Sequence, residues 1–459
     1  MCQQNHDYTL LPVWKWHLLA HVCQRWRQIL FASPLRLNLQ ILCTGKTLVK
    51  KKLDIWPAFP ISIEYHYFGK SKRPKGEDNI IAALILPDRV YSARLVITPL
   101  QLAKIASVMQ QPFPVLTHLE ILLWSIGTSR GTAPVLPAEF LGGSAPHLQQ
   151  LSLYGIAYLA LPILLLSTSR LISLTIRDIP STGCISPKEM VEGLAALTKL
   201  KTLIIEFQSS TLRPDRTRLP PTSRVVLPAL TDLTFQGTSE YLEILVTHID
   251  SPQLDLINIV CFNKLVDIPP VAQLSKFLDR SLGPKLALFQ HARVRFSCPY
   301  YYFAMYPHEN PESWDYPTRA IISWNGIFQQ VSNIAQVLGQ FFAMLSNVVH
   351  LKLEADPEGR HRLEDTLELE WHHFFQQFCS VKTLRVSQKL AWHVALALEG
   401  IATEMVAEAL PSLDLVFLKG EPASCVEKFA YVRELSGHPV TVIDSETEFN
   451  KRLQSYWTG

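Results

Sequence analysis

The stretch Leu148-Gln149-Gln150-Leu151-Ser152-Leu153 has apolar residues at its first, fourth and sixth positions, and this L-x-x-L-x-L spacing recurs along the chain. It returns as Leu116/Leu119/Ile121, Leu171/Leu174/Ile176, Leu200/Leu203/Ile205 and Leu230/Leu233/Phe235. Weaker copies follow at Leu254/Ile257/Ile259, His291/Val294/Phe296, Val348/Leu351/Leu353, Val381/Leu384/Val386 and Leu413/Val416/Leu418. Most lie roughly 23–37 residues apart, with a gap of about 57 between the seventh and eighth, as expected of stacked repeats.

The last two apolar residues of each copy alternate with other residues, which predicts a short strand with one buried face. Between copies, segments such as Pro187 to Leu197 and Gly326 to Leu345 repeat apolar residues three or four apart, which predicts helices. One strand–helix unit cannot bury its apolar side alone; stacked neighbours can. The predicted fold is therefore α/β, a leucine-rich-repeat solenoid with parallel strands on the concave face and helices on the convex face, preceded by a short N-terminal helical segment. An ordinary α/β protein with a parallel sheet would also alternate strands and helices. No glycine-rich phosphate turn follows any of these strands, however.

The predicted division is 1–36, a partial F-box-like helical segment; 37–112, irregular repeats or a cap; 113–440, the solenoid; and 441–459, a C-terminal cap or tail. An insertion near 297–323 is expected because Pro299 to Pro317 is rich in Tyr, Pro, Trp and acidic residues. A shorter loop is expected from Ser209 to Ser223.

Of the 459 residues, 48% are hydrophobic and 18% charged, which excludes general disorder. A net charge of +3 gives no reason to expect nucleic acid or an anionic membrane as partner. The eight cysteines form no C-x-x-C pair and read as free thiols, and residues 1–8 are polar without an apolar leader. The expected setting is intracellular, cytoplasmic or nuclear. Leu148 to Ser169 carries no charge and approaches bilayer length, but Gln149, Gln150, Ser152 and Pro162 interrupt it. A strand, a turn and a buried helix are expected there.

Signs of catalysis are sparse. Gly45-Lys46-Thr47 ends like a phosphate-binding loop, but Gln40 stands where the first glycine is required. His361, His372, His373 and Cys379 are metal-ligand types, yet the adjacent histidines would diverge on a helix, and no H-E-x-x-H or G-x-S-x-G is present. No enzyme, metal or cofactor is expected.

Near the amino terminus, Leu18, Val22, Trp26 and Ile29 recur at helical spacing, broadened by Leu19, Cys23 and Leu30. Gln24, Arg25, Arg27 and Gln28 fill the opposite side, and Pro34 ends the segment. Taken alone this is an amphipathic helix that could cap the first repeat. The string Val22-Cys-Gln-Arg-Trp-Arg-Gln-Ile-Leu30 also resembles the V-C-x-x-W-R half of an F-box. Phe31 to Leu37, Leu39 to Thr44, Leu53 to Ile61, Asp78 to Leu84, Asp88 to Val90 and Met109 to Pro114 are similar to F-box and leucine-rich-repeat proteins of mushroom-forming (basidiomycete) fungi.

The resemblance implies a substrate receptor of an SCF-type ubiquitin ligase. In it Leu18, Val22, Cys23, Trp26 and Ile29 would dock a Skp-family linker protein, and the repeats would hold a protein substrate. The pattern departs ahead of Val22, where Leu11-Pro12 stands too close to be the usual F-box start, so the F-box is expected to be incomplete. The alternatives are a leucine-rich-repeat binding protein that no longer docks the ligase and, more remotely, an enzyme with an unrecognised site.

Strand alternation also assigns the outward positions. Early copies present His118/Glu120, Gln150/Ser152 and Ser173/Thr175, whereas later ones present Arg293, Arg295, Lys352 and Arg385. These four predict a basic stripe on the concave face that receives an acidic or phosphorylated segment.

Overall fold

The computed structural model of the protein describes residues 22–32, 41–46, 48–55, 58–66, 76–124, 134–209, 224–262, 271–297, 300–307, 319–325, 331–355, 368–404, 409–418, 423–445, 447–449 and 452. Leu11-Pro12, Leu18, Leu19, Pro34, Thr47, His361, residues 210–223 of the Ser209 loop and residues 453–459 lie outside them. The chain forms two compact units, Met1–Gln208 and Ser209–Gly459. The boundaries expected at 36/37, 112/113 and 440/441 do not coincide with this division.

In the first unit, strands β1 (Ile41–Thr44), β2 (Ile61–His66), β3 (Val90–Ile97), β4 (His118–Leu123), β5 (Gln150–Tyr154), β6 (Ser173–Ile179) and β7 (Thr202–Phe207) lie side by side in chain order, all parallel. Helices α1 (Gln24–Ala32), α2 (Val49–Ile55), α3 (Glu77–Leu84), α4 (Pro99–Val108), α5 (Leu161–Leu166) and α6 (Pro187–Leu194) accompany them. The repeat explains the register: Leu119, Leu151, Leu174 and Leu203 pair across β4–β7, as do Ile121, Leu153, Ile176 and Ile205. All eight are at most 4% exposed, and the leading Leu116, Leu148, Leu171 and Leu200 are fully buried. At about 1.5–3 kcal/mol for each such side chain, these rows dominate the stability of the unit.

Helix starts are encoded locally. Thr98 and Ser186 each accept from the backbone N–H three residues on, Gln101 and Glu189 reach back to complete capping boxes, and proline occupies the first helical position. Gly76, ahead of α3, has a φ of 96°, and a side chain there would overlap the Gly45 carbonyl, which also accepts from Asn79 Nδ2 at 3.1 Å. Gly76→Ala is therefore expected to cost about 2–3 kcal/mol in urea unfolding; a loss below about 0.5 kcal/mol would contradict this packing.

The uncharged stretch from Leu148 divides into β5, a turn and α5, whose Leu161, Leu164 and Leu165 are buried. Among the described residues no helix is long and apolar enough to cross a membrane.

The second unit opens with β8 (Val225–Val226), β9 (Asp232–Gly237), α7 (Ser239–His248), β10 (Ile249–Asp250), β11 (Leu256–Phe262) and α8 (Ala272–Leu282). Three strands then follow in succession, β12 (His291–Ser297), β13 (Tyr300–Tyr306) and β14 (Arg319–Asn325). The unit continues through α9 (Val331–Gly339), α10 (Phe342–Leu345), β15 (His350–Ala355), α11 (Glu368–Phe375), β16 (Thr383–Val386), α12 (Gln388–Glu404), β17 (Leu415–Leu418), α13 (Ala423–Leu435) and β18 (Thr441–Ile443). Its sheet order is β9-β11-β14-β13-β12-β15-β16-β17-β18, while β8 and β10 pair separately.

Among the described strands of this sheet only β13 runs antiparallel, pairing β12 on one side and β14 on the other. β12 therefore lies two strands beyond the place beside β11, and the chain doubles back through β13 to fill that place with β14. The insertion expected near 297–323 thus contains β13 and most of β14. Tyr301, Phe303 and Met305 alternate with Tyr302 and Ala304, and the first three join the core at no more than 7% exposure. Residues 308–318 of that stretch lie outside the described residues.

The seventh repeat is also corrected. Ala292 and Val294 pair with Leu351 and Leu353, so its leading residue is the buried Phe289, and His291 stands on the outward side. The helices cover the core side of the sheet, as ring contacts of Phe235 with Tyr241 (5.8 Å) and Phe296 with Trp371 (5.7 Å) show.

Candidate functional site

Two features stand out on these units. On the first, α1 begins at Gln24, with Val22 in the preceding turn and the Arg27 N–H donating to the Cys23 carbonyl. Val22 (63%), Trp26 (47%) and Ile29 (53%) are exposed, as is Cys23. A capping helix would bury this stripe, so the capping expectation is corrected. The anchored part is Phe31, whose ring lies 5.4 Å from the buried Phe59.

On the second unit, the outward face brings all four predicted cations together. Arg293, Lys352 and Arg385 occupy one register row on the adjacent strands β12, β15 and β16, and Arg295 lies in the next row beside Glu354. Glu354 sits at the centre of the stripe, a position that a search for cations alone does not flag. Its carboxylate accepts from Arg293 (2.6 Å), Arg295 (3.1 Å) and Lys352 (2.7 Å). Burial opposes its ionisation, but the hydrogen bonds and charges of Lys352 and Arg293 outweigh this and hold the carboxyl down at about 2. Tyr302 on β13 faces Arg295, and burial raises its phenol above the usual value against the pull of Arg293, Arg295 and Arg319.

Aromatic groups border the row beyond Arg385 and alongside Arg293 and Lys352. Arg385 lies over the rings of Phe417 (5.5 Å) and Phe449 (5.8 Å), which form a buried cluster with Leu415 and Ile443. His291 stacks between Tyr306 (5.7 Å) and His350 (4.5 Å), and His350 Nδ1 lies 2.7 Å from Thr383 Oγ1. Burial, reinforced by Lys382, lowers His350 to about 4 and keeps it neutral. The first unit differs: there outward charges pair one to one, Arg94 with Glu120 (2.6 Å) and Arg177 with Glu206 (3.6 Å).

The residues considered for catalysis have structural surroundings. The His372 ring contacts the Gln376 amide at 2.9 Å and meets His373 edge-on, and Cys379 is half-buried. Among the described residues, no three His, Cys, Asp or Glu side chains are grouped to hold a metal.

Parallel strands, each entered through a buried apolar residue and backed by helices on one side, give both units a mixed α/β architecture consistent with a leucine-rich-repeat-like solenoid. Among solved structures, the chain is similar to the leucine-rich repeat-containing protein LegL7 from Legionella pneumophila, with 13% identity and a TM-score of 0.28 over 77% of this chain and 92% of that one. No protein-family profile and no curated protein matches the chain.

Proposed function

We propose that the protein is a non-catalytic interaction module acting as a substrate receptor of an SCF-type ubiquitin ligase. In this proposal the amino-terminal helix docks a Skp-family linker and the repeats hold a protein substrate. The observation that carries it is the exposed apolar stripe of Val22, Trp26 and Ile29, set within a string that resembles V-C-x-x-W-R. An aromatic anchor flanked by aliphatic residues is what a partner's apolar pocket recognises, and contacts of this kind dominate interface energies. The proposal assigns no catalytic residue, metal or cofactor.

The test is co-purification of the full chain with a Skp-family linker, beside a variant carrying Val22→Asp and Trp26→Asp. Because both side chains are exposed, the variant is expected to fold and to lose linker affinity by at least about thirtyfold, the loss of one strong anchor. Retention by neither protein, or equally by both, would overturn ligase docking and leave a repeat protein that binds without it.

A further inference from the structure

We infer that the outward face of β12, β15 and β16 recognises an extended peptide segment with clustered negative charge, carboxylate or phosphate, and that Glu354 is a built-in carboxylate competing for the same cations. This inference rests on the interaction-module proposal and names the partner's chemistry.

Charge favours such a partner. Among the described residues, Arg293, Arg295 and Lys352 meet one carboxylate, which leaves two positive charges in excess around Glu354. The one-to-one pairs on the first unit leave none at their own positions. A phosphorylated side chain carries about −1.5 to −2, and two carboxylates together carry about the same, so either matches the excess.

Spacing favours an extended one. Neighbouring strands lie about 4.8 Å apart, so Arg293, Lys352 and Arg385 span roughly 10 Å. In an extended peptide, side chains on one face repeat about every 6.8 Å, so acidic groups at alternate positions fit within this row.

The cations are also held in place before any partner arrives. The Arg293 side chain is 11% exposed and fixed on Glu354, Lys352 donates to the other oxygen of the same carboxylate, and Arg385 rests on two aromatic rings. Binding would order little further, which favours affinity. Arg295, at 45% exposure, reaches furthest into solvent. Glu354 demonstrates that the cluster accepts a carboxylate in the required geometry. It also sets a threshold, since an incoming group must interact with cations already shared with Glu354. Single acidic residues are discriminated against, and clustered charge is favoured.

The experiment measures binding of three labelled peptides of equal length to the full chain by fluorescence anisotropy. One carries alternating Asp and Glu, one a single phosphoserine, and one only neutral polar residues. At least one anionic peptide is expected to bind about tenfold or more tighter than the neutral one, and which of the two binds tighter identifies the source of the charge. Arg295→Glu, checked for folding by circular dichroism, is expected to weaken that binding about tenfold or more; a folded Glu354→Gln is expected to strengthen it severalfold. Equal binding of all three peptides, or no loss on Arg295→Glu, would overturn the inference. So would single-stranded DNA of equal charge binding as tightly as the peptides with the same sensitivity, which would make the face a general polyanion patch. The assay contains no linker, so its outcome is independent of ligase docking.

Discussion

Trp371→Ala is expected to destabilise the second unit by about 4 kcal/mol, read as a fall in the urea midpoint of that unit's unfolding transition. The indole is 1% exposed and touches Phe296 of β12 at 5.7 Å, Phe374 edge-on at 5.6 Å and Phe375 in a stacked arrangement at 5.7 Å. Truncation removes the largest fully buried side chain among the described residues and leaves a void lined by three phenyl rings that cannot collapse without shifting α11 toward β12. The damage would extend to the outward face. Phe296 lies next to Arg295 on the same strand, so loosening the core side of β12 also loosens the cation row. Trp371→Phe, which retains a ring, is expected to lose less than half as much. A loss under about 1 kcal/mol for the alanine variant would show that this aromatic cluster does not hold β12.

The second large effect is acid lability in two stages. His350 has a folded value of about 4 against an ordinary 6.5, so between these values the unfolded chain binds a proton that the folded chain refuses. Stability from a neutral His350 is complete above about pH 6.5 and falls as the pH drops toward 4. Glu354 has a folded value of about 2 against 4.5, so its contribution is complete above pH 4.5 and lost as the pH falls toward 2. Each group accounts for up to about 3 kcal/mol, because a tenfold change in proton affinity corresponds to about 1.4 kcal/mol. In urea titrations of the second unit's transition repeated across pH, His350→Asn is expected to remove its share of the first stage, to which the half-buried His118 of the first unit also contributes, and Glu354→Gln to remove the second. Stability unchanged between about pH 7 and 4 would contradict the burial of His350.

How far the fold can be read from the chain depends on which residues fill each slot. Where leucine leads and repeats, as at Leu116, Leu148, Leu171, Leu200 and Leu230, every expected strand is present. β1, β2 and β3 belong to the same parallel series but build their buried rows from Ile41 and Cys43, Ile63 and Tyr65, and Ala93 and Leu95, which the leucine pattern does not flag. The pattern misplaces the seventh repeat because Ala292 makes a weak marker while Val294 and Phe296 make strong ones. Both pairings have the same alternation, so Arg293 and Arg295 face outward in either. β13 resembles a loop in sequence because Pro299, Pro307 and the acidic residues that follow bracket it, although its run of Tyr and Phe is that of a strand.

The candidate site is legible as four cations, because strand alternation alone orients them. Their mutual register and the convergence on Glu354 depend on how β12 pairs with β15, which the leucine pattern misplaces by two residues. Stacking in repeat order already places β12 beside β15, but the gap of about 57 residues carries no hint that β13 and β14 come between β11 and β12. Likewise, helical spacing marks Val22, Trp26 and Ile29 as one stripe but cannot tell whether the stripe is covered; burial alone shows it open.

Binding through the outward face of the second unit's sheet is the core of the proposal. It is tested most directly by attaching a photoreactive group to the tighter-binding anionic peptide, irradiating its complex with the full chain, and mapping the attachment sites by mass spectrometry. Attachment is expected within residues 291–297, 350–355 and 383–387, and lost when Arg295 is replaced by Glu. Attachment to the helices at 368–375 or 388–404, or spread evenly along the chain, would contradict it.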